Sequence, residues 1–184
     1  RRFKAGESGG CGYRLRLGRR RLSKSKSIIG IDPGAAGAIA VINPDKRMAQ
    51  VWPMPYSNKA YDLDRIRQLL EFDPEDEEPF AVIEKVHAMP KQGVSSTFAF
   101  GCGYGILLGM LGAFQIPYQE VPPQTWKKII LAGENKDDGK AASIRVARRL
   151  FPGVSLRASE RCRSDHDGMA EALLLAEFGR RMRA

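Results

Sequence analysis

Residues 28–52 read IIGIDPGAAGAIAVINPDKRMAQVW. The β-branched run Ile28–Asp32 meets Pro33-Gly34, the pattern of a buried strand reaching a turn. Gly37–Asn43 reads as a second strand, Asn43-Pro44-Asp45-Lys46 as a turn, and Arg47–Trp52 as a third strand. Three strands joined by such short turns form an antiparallel meander.

The rest of the chain alternates helix and strand. Leu63–Glu71 has helical spacing, Asp73–Pro79 is an acidic loop, and Phe80–Val86 is a central strand by its apolar run. Ser95–Phe114 predicts a long Gly-rich helix and Tyr118–Val121 a fifth strand. A short helix follows over Gln124–Leu131, and Gly133–Asp138 is a polar loop. Gly139–Phe151 predicts a helix, Ser155–Ser164 a basic loop and Asp165–Met182 the closing helix. The order is β-β-β-α-β-α-β-α with one extra helix before the last. This predicts an α/β fold: an RNase H-like mixed five-stranded sheet, its first three strands antiparallel, flanked by helices.

The chain has 184 residues and 43% apolar content, enough for one globular domain with a real core. Its net charge of +9 is unevenly placed. Residues 1–27 hold ten Lys/Arg against one acid, Glu7, so residues 28–184 are neutral overall. The high pI therefore says little about whether the folded part binds nucleic acid. Residues 1–27 read as a disordered basic tail and 28–184 as the domain. The tail's Arg- and Ser-rich composition fits an organelle transit-peptide remnant first, with a DNA-holding arm or a cloning remnant as the alternatives. The first residue is Arg and not Met, so a fragment of a longer chain is expected. Cys11, Cys102 and Cys162 form no CxxC pair, which argues against structural zinc and for a reducing compartment. The longest apolar run, Gly101–Phe114, is shorter than the ~20 residues of a membrane span and reads as a buried helix.

Five acids carry the candidate chemistry. Asp32 ends a buried strand, where a carboxylate needs a partner or a metal. A turn-capping aspartate before Pro-Gly is the plainer alternative. Glu84 interrupts the apolar strand Phe80–Val86 and shares a face with Phe80, Val82 and Val86. It fits a functional acid on a central strand, or a charge that protects an edge strand. Asp165, Asp167 and Glu171 open the last helix. Asp167 and Glu171 are i and i+4 on one face, where like charges repel. Helix-dipole complementation accounts for Asp165 and Asp167 but poorly for Glu171. Acids converging from two strands and a helix call for divalent cations. Mg²⁺ suits hard oxygen ligands, and two ions can activate water and stabilise a leaving oxygen in phosphodiester cleavage. The sequence contains neither a Walker A loop nor a nucleophile motif, so no nucleotide cofactor is expected.

Basic and polar residues offer contacts to DNA. Lys140 opens a helix, as a phosphate-binding lysine or a solvated one. Lys127, Lys136 and Arg163 could follow a backbone. His87, Lys91, Gln92, Ser95 and Ser96 form a polar loop suited to reading bases, while Phe98 and Phe100 read as core. Gly101, Gly105 and Gly109, with Gly112 nearby, make a small face that could pack within the domain or against a second copy.

The stretches Ile28–Ala38, Val82–His87, Lys140–Pro152 and Asp165–Ala176 resemble the RuvC family of Holliday-junction resolvases. The Gln92-Gly-Val-Ser-Ser, Trp126-Lys-Lys and Leu150-Phe-Pro segments are most similar to its chloroplast (plant and algal) and phage-like branch. The resemblance implies a crossover junction endodeoxyribonuclease, acting as a homodimer on four-way junction DNA. It implies symmetrical paired nicks, sequence preference at the cut, and two Mg²⁺ (or Mn²⁺) per active site. Catalytic roles would fall to Asp32, Glu84, Asp167 and Glu171 with help from Lys140, and Asp165 is a further candidate ligand. Bacterial members space the closing acids i, i+3, so whether Asp165 or Asp167 partners Glu171 stays open, with Asp167 favoured. The resemblance also implies a chloroplast location and no membrane. The rivals are a non-catalytic junction-binding module and another RNase H-like nuclease. An actin-like phosphotransferase would need a second domain and an adenosine pocket, and the chain is too short for both.

Overall fold

The structure is a computed structural model that describes residues 23–87 and 93–183. Seven strands and five helices follow one another as β1 (Ser25–Asp32), β2 (Ala38–Asn43), β3 (Met48–Pro53), β4 (Tyr56–Ser57), β5 (Ala60–Tyr61), α1 (Leu63–Leu69), β6 (Glu77–Glu84), α2 (Val94–Ala113), β7 (Tyr118–Val121), α3 (Pro123–Ile130), α4 (Gly139–Leu150) and α5 (Asp167–Met182). A short 3-10 turn, Lys136–Asp138, leads into α4.

The main sheet has the order β3-β2-β1-β6-β7. The β1–β2 and β2–β3 pairs are antiparallel, and β6 and β7 continue parallel to β1. This is the expected mixed five-stranded sheet. Both of its faces are covered, so β1 and β2 are buried along almost their whole length. Ile29, Ile31, Ile39, Ala81 and Ile83 face α1 and α2. Ile28, Ala38, Ala40 and Val82 face α5, with α3 and α4 outside it. The sheet and α5 meet closely because Gly30 has no side chain: a Cβ there would lie 2.0 Å from the Ala172 carbonyl oxygen.

Several expected boundaries move. β1 begins at Ser25, inside the stretch read as tail, because Ser25–Ser27 pair in parallel with Glu77–Pro79. The buried Asn43 carboxamide donates to Ser27 Oγ (3.0 Å) and Ser25 Oγ (3.3 Å), and Lys26 N donates to Asp45 Oδ2 (2.8 Å). Polar residues thus enter the sheet through side-chain hydrogen bonds that hydrophobic periodicity does not register. By the same pairing β6 starts at Glu77, within the expected acidic loop, and it ends at Glu84 instead of Val86. Residues 1–22 of the expected tail, Cys11 among them, lie outside the described residues. The hairpin β4–β5 was not foreseen, since two-residue strands show no period.

The largest correction concerns α2. Its 20 residues bury only Leu107 and Leu111, so it is no buried helix. Its length is as expected, but the apolar stretch is longer than Gly101–Phe114, and by length and composition alone the helix could cross a membrane. Phe98, expected in the core, is 74% exposed. The apolar sequence of α2 is therefore spent mostly on surface that the described residues do not cover.

Candidate metal centre

The site forms at the ends of β1 and β6. Asp32 and Glu84 are the last residues of these strands, and the register Ile31↔Ile83 sets them level one step further on. Period 2 then gives both acids the α5 face, in the rows that begin Ile28, Gly30 and Phe80, Val82. Beyond Asp32 the chain reverses sharply. Gly34 has φ +110°, Gly37 N donates to the Gly34 carbonyl (3.0 Å), and a Cβ on Gly37 would strike the Asp32 carbonyl oxygen at 2.0 Å. The N-terminal end of α5 closes over this turn. Gly168 permits it, since a Cβ there would meet Ala36 O at 2.4 Å and Asp32 Oδ2 at 3.0 Å. Glu171, one turn into α5, completes the group. Asp32, Glu84 and Glu171 bring one carboxylate oxygen each within 4.8 Å of one another.

Neighbouring side chains aim these acids. The indole of Trp126, fully buried on α3, donates from Nε1 to Glu84 Oε2 at 2.8 Å. Glu171 Oε1 accepts from Lys127 Nζ (2.8 Å) and from the buried Ser143 Oγ (3.1 Å). The Lys127 ammonium also stands 5.1 Å from the Trp126 ring centroid. Tyr61, from the unforeseen hairpin, accepts from Gly34 N at 3.1 Å and so braces the turn after Asp32.

Electrostatics set the character of the site. Burial first, then the charges of Glu171, Glu84 and Asp167, push the Asp32 carboxyl up to about 8, against a weaker pull from Lys127. Glu84 is also raised, by burial and by Glu171, although the Trp126 N–H opposes this. Asp167 behaves differently. Burial pushes it upward, but the Lys140 ammonium bonded to it prevails and holds it below the usual aspartate value. A cluster that keeps a proton for lack of positive charge fits a divalent cation. Its all-oxygen donors suit Mg²⁺ or Mn²⁺.

The sequence candidates divide as follows. Asp32, Glu84 and Glu171 meet, and Asp167 lies beside them with Lys140. Asp165, named as a further ligand, instead pairs with Arg148 Nε at 2.7 Å, its side chain only 10% exposed. It precedes α5, whose first residue is Asp167, so the helix does not carry it toward Asp32. Lys127, expected on DNA backbone, is drawn into the acid cluster by Glu171. His87, Ser95, Ser96 and Arg163 are exposed, and Lys136 opens the 3-10 turn. Lys91 and Gln92 lie outside the described residues. Trp126, Ser143 and Tyr61 were missed. The one available signal was Trp126 on an amphipathic helix, since a buried indole N–H needs an acceptor.

No protein-family model matches the chain, and neither does any curated protein by sequence. Solved structures do match. The Thermus thermophilus RuvC structure aligns with a TM-score of 0.53 at 16% identity, over 85% of this chain and 96% of that one. T. thermophilus RuvC in complex with Holliday junction substrate aligns with a TM-score of 0.51 at 17% identity, over the same shares of the two chains. At such identity the likeness is one of architecture: this chain has the mixed-sheet, RNase H-like α/β fold of RuvC.

Proposed function

We propose that this protein is a metal-dependent endonuclease that cuts four-way DNA junctions. The convergence of Asp32, Glu84 and Glu171 on one point, from two strands and a helix, carries the reading. Asp32, Glu84 and Glu171 would hold the cation, with Asp167 as a further ligand once Lys140 releases it. When bound, two Mg²⁺ or Mn²⁺ ions would supply an activated water and stabilisation of the leaving 3′ oxygen. The protein's own groups do the positioning. Trp126 fixes the rotamer of Glu84, Ser143 and Lys127 fix that of Glu171, and Tyr61 holds the turn that carries Asp32. Lys127 and Lys140 add the positive charge that draws a phosphodiester toward these acids.

The junction as substrate is supported by the fold likeness to a RuvC solved with Holliday junction substrate. Symmetrical nicking requires two sites, hence a homodimer. The mostly uncovered α2, with open space beside Gly101, Gly105, Gly109 and Gly112, supports such pairing. The chloroplast location, suggested by resemblance and tail composition, belongs to the same proposal, and import of the full-length chain fused to a fluorescent reporter tests it.

Labelled four-way junction, duplex and RNA–DNA hybrid, each with and without Mg²⁺, test the activity. Paired, ligatable nicks in the junction alone are expected. Cleavage of the hybrid would reassign the protein as another RNase H-like nuclease, and binding without cleavage would make it a junction-binding module. Asp32→Asn removes a ligand and a repulsive charge while nearly keeping shape. It should lower cutting by about 10³-fold or more and leave junction binding intact.

A further inference from the structure

Beside the metal centre lies a second concavity, of 470 Å³, between the β4–β5 hairpin, the turn after Asp32 and the first half of α2. One wall is Gly34-Ala35, in the turn that directly follows Asp32, so the cavity lies against the loop that carries this acid. The other walls carry four aromatic rings, Tyr56, Tyr61, Phe98 and Phe100. Tyr56 and Tyr61 meet edge to face with centroids 5.6 Å apart, and Phe98 overhangs from α2. Tyr56 is 41% exposed and Phe98 74%, which no packing among the described residues explains. Tyr61 by contrast is fastened, its hydroxyl on Gly34 N and its ring against Gly103, where a Cβ would lie 2.9 Å away.

The charge of the lining is one-sided. Among the described residues it contains Lys59 and no carboxylate. Lys59 sits at the tip of the hairpin with φ +62°, next to Asn58 at φ +51°. Two successive positive φ angles make the tight turn that favours Asn-Gly, so a lysine occupies a place where glycine fits without strain. The turn sets that exposed lysine in the lining of the aromatic cavity.

We propose that this cavity is a nucleotide subsite, taking the base next to the cut phosphate against Tyr56 and Phe98, with its phosphate on Lys59. The proposal rests on the nuclease reading above. Flat π-faces plus one cation are the chemistry that holds a single-stranded nucleotide without reading its sequence. The volume lies in the range of about 300–1,000 Å³ for small-ligand sites, room for one nucleotide and not for a duplex. A base splayed into it would leave the backbone lying across Gly34 toward Asp32.

The test uses the full chain and a four-way junction carrying 2-aminopurine in turn at each position flanking the mapped cut, with Ca²⁺ in place of Mg²⁺ for binding. One position should lose fluorescence on binding, and Phe98→Ala or Tyr56→Ala should restore it and weaken junction binding about tenfold. An abasic nucleotide at that position should weaken wild type by a similar factor and the variants no further. Phe98→Tyr, which keeps the ring, should keep the quench and rule out a general structural effect. If wild type cuts the junction while no flanking base is quenched, or while the quench survives both alanine variants, the subsite is wrong and the nuclease reading stands. If wild type cuts no substrate, both fall together.

Discussion

The two faces of the sheet are covered by helices of similar length and opposite character. On one face α5 buries eleven of its sixteen residues. On the other, α2 buries two of twenty. The α5 face is fitted at backbone level, with Gly30 and Gly179 removing side chains where helix and sheet meet. On α2, Gly103 packs against Tyr61, but Gly101, Gly105, Gly109 and Gly112 stand beside open space among the described residues. The acids stand on the fitted face and the aromatic cavity lies against the loose one. A metal centre needs its ligands held to a fraction of an ångström, while a surface that receives another macromolecule must stay uncovered until that partner arrives.

Glycine substitutions break this contrast most directly. Gly30→Ala forces a methyl into the Ala172 carbonyl and should destabilise the fold by about 3 kcal/mol, seen as a lower denaturant midpoint. The acid cluster comes next. Asp32 loses its proton near pH 4 when unfolded but only near pH 8 when folded, so the folded state binds more protons between these values. Metal-free stability should therefore fall as pH rises through that window, and Asp32→Asn should flatten the profile and add on the order of 2 kcal/mol above pH 8. Because a cation must displace the same proton, apparent Mg²⁺ affinity should rise with pH up to about 8, by calorimetry or by rate.

A subtler change tests how far the fitted face extends toward the chemistry. Trp126→Phe keeps the ring and removes the hydrogen bond to Glu84, at about 1–2 kcal/mol of stability. It should raise the Glu84 carboxyl further, so that cutting needs higher pH or more Mg²⁺. An unchanged metal requirement would show that Glu84 is aimed by β6 alone. The smallest effect belongs to α2. Gly105→Ala meets no neighbour among the described residues and should stabilise the helix by about 0.5–1 kcal/mol in a monomer. A bulky Gly105→Arg should convert a dimer to monomers by sedimentation if a second copy packs there. No change in mass would place the pairing surface elsewhere.

Much of this was legible beforehand where a period carries the information. Period 2 gave the face of Glu84 along its strand, and the i, i+4 spacing put Asp167 and Glu171 on one helix face. The stretch Ser25–Ser27 was not legible. Its polar residues are held by Asn43, 16 positions from Ser27, and by pairing with Glu77–Pro79, some fifty positions away in sequence. Apolar composition misled for α2, because hydrophobicity tells that a surface will be covered and not by what.

The sequence by itself determined the order of the main sheet's strands and of the helices, the mixed sheet and the small set of acids from which the cluster is drawn, since these follow from local spacing and residue type. Tertiary structure alone decided which acids meet. Asp165 and Asp167 are two residues apart and chemically equal, yet Arg148 takes one and Lys140 with the Asp32 cluster takes the other. That choice depends on where α4 and α5 cross, and on a tryptophan, a serine and a tyrosine that reach the site from separate elements. Such contacts arise only on packing, and no local pattern encodes them.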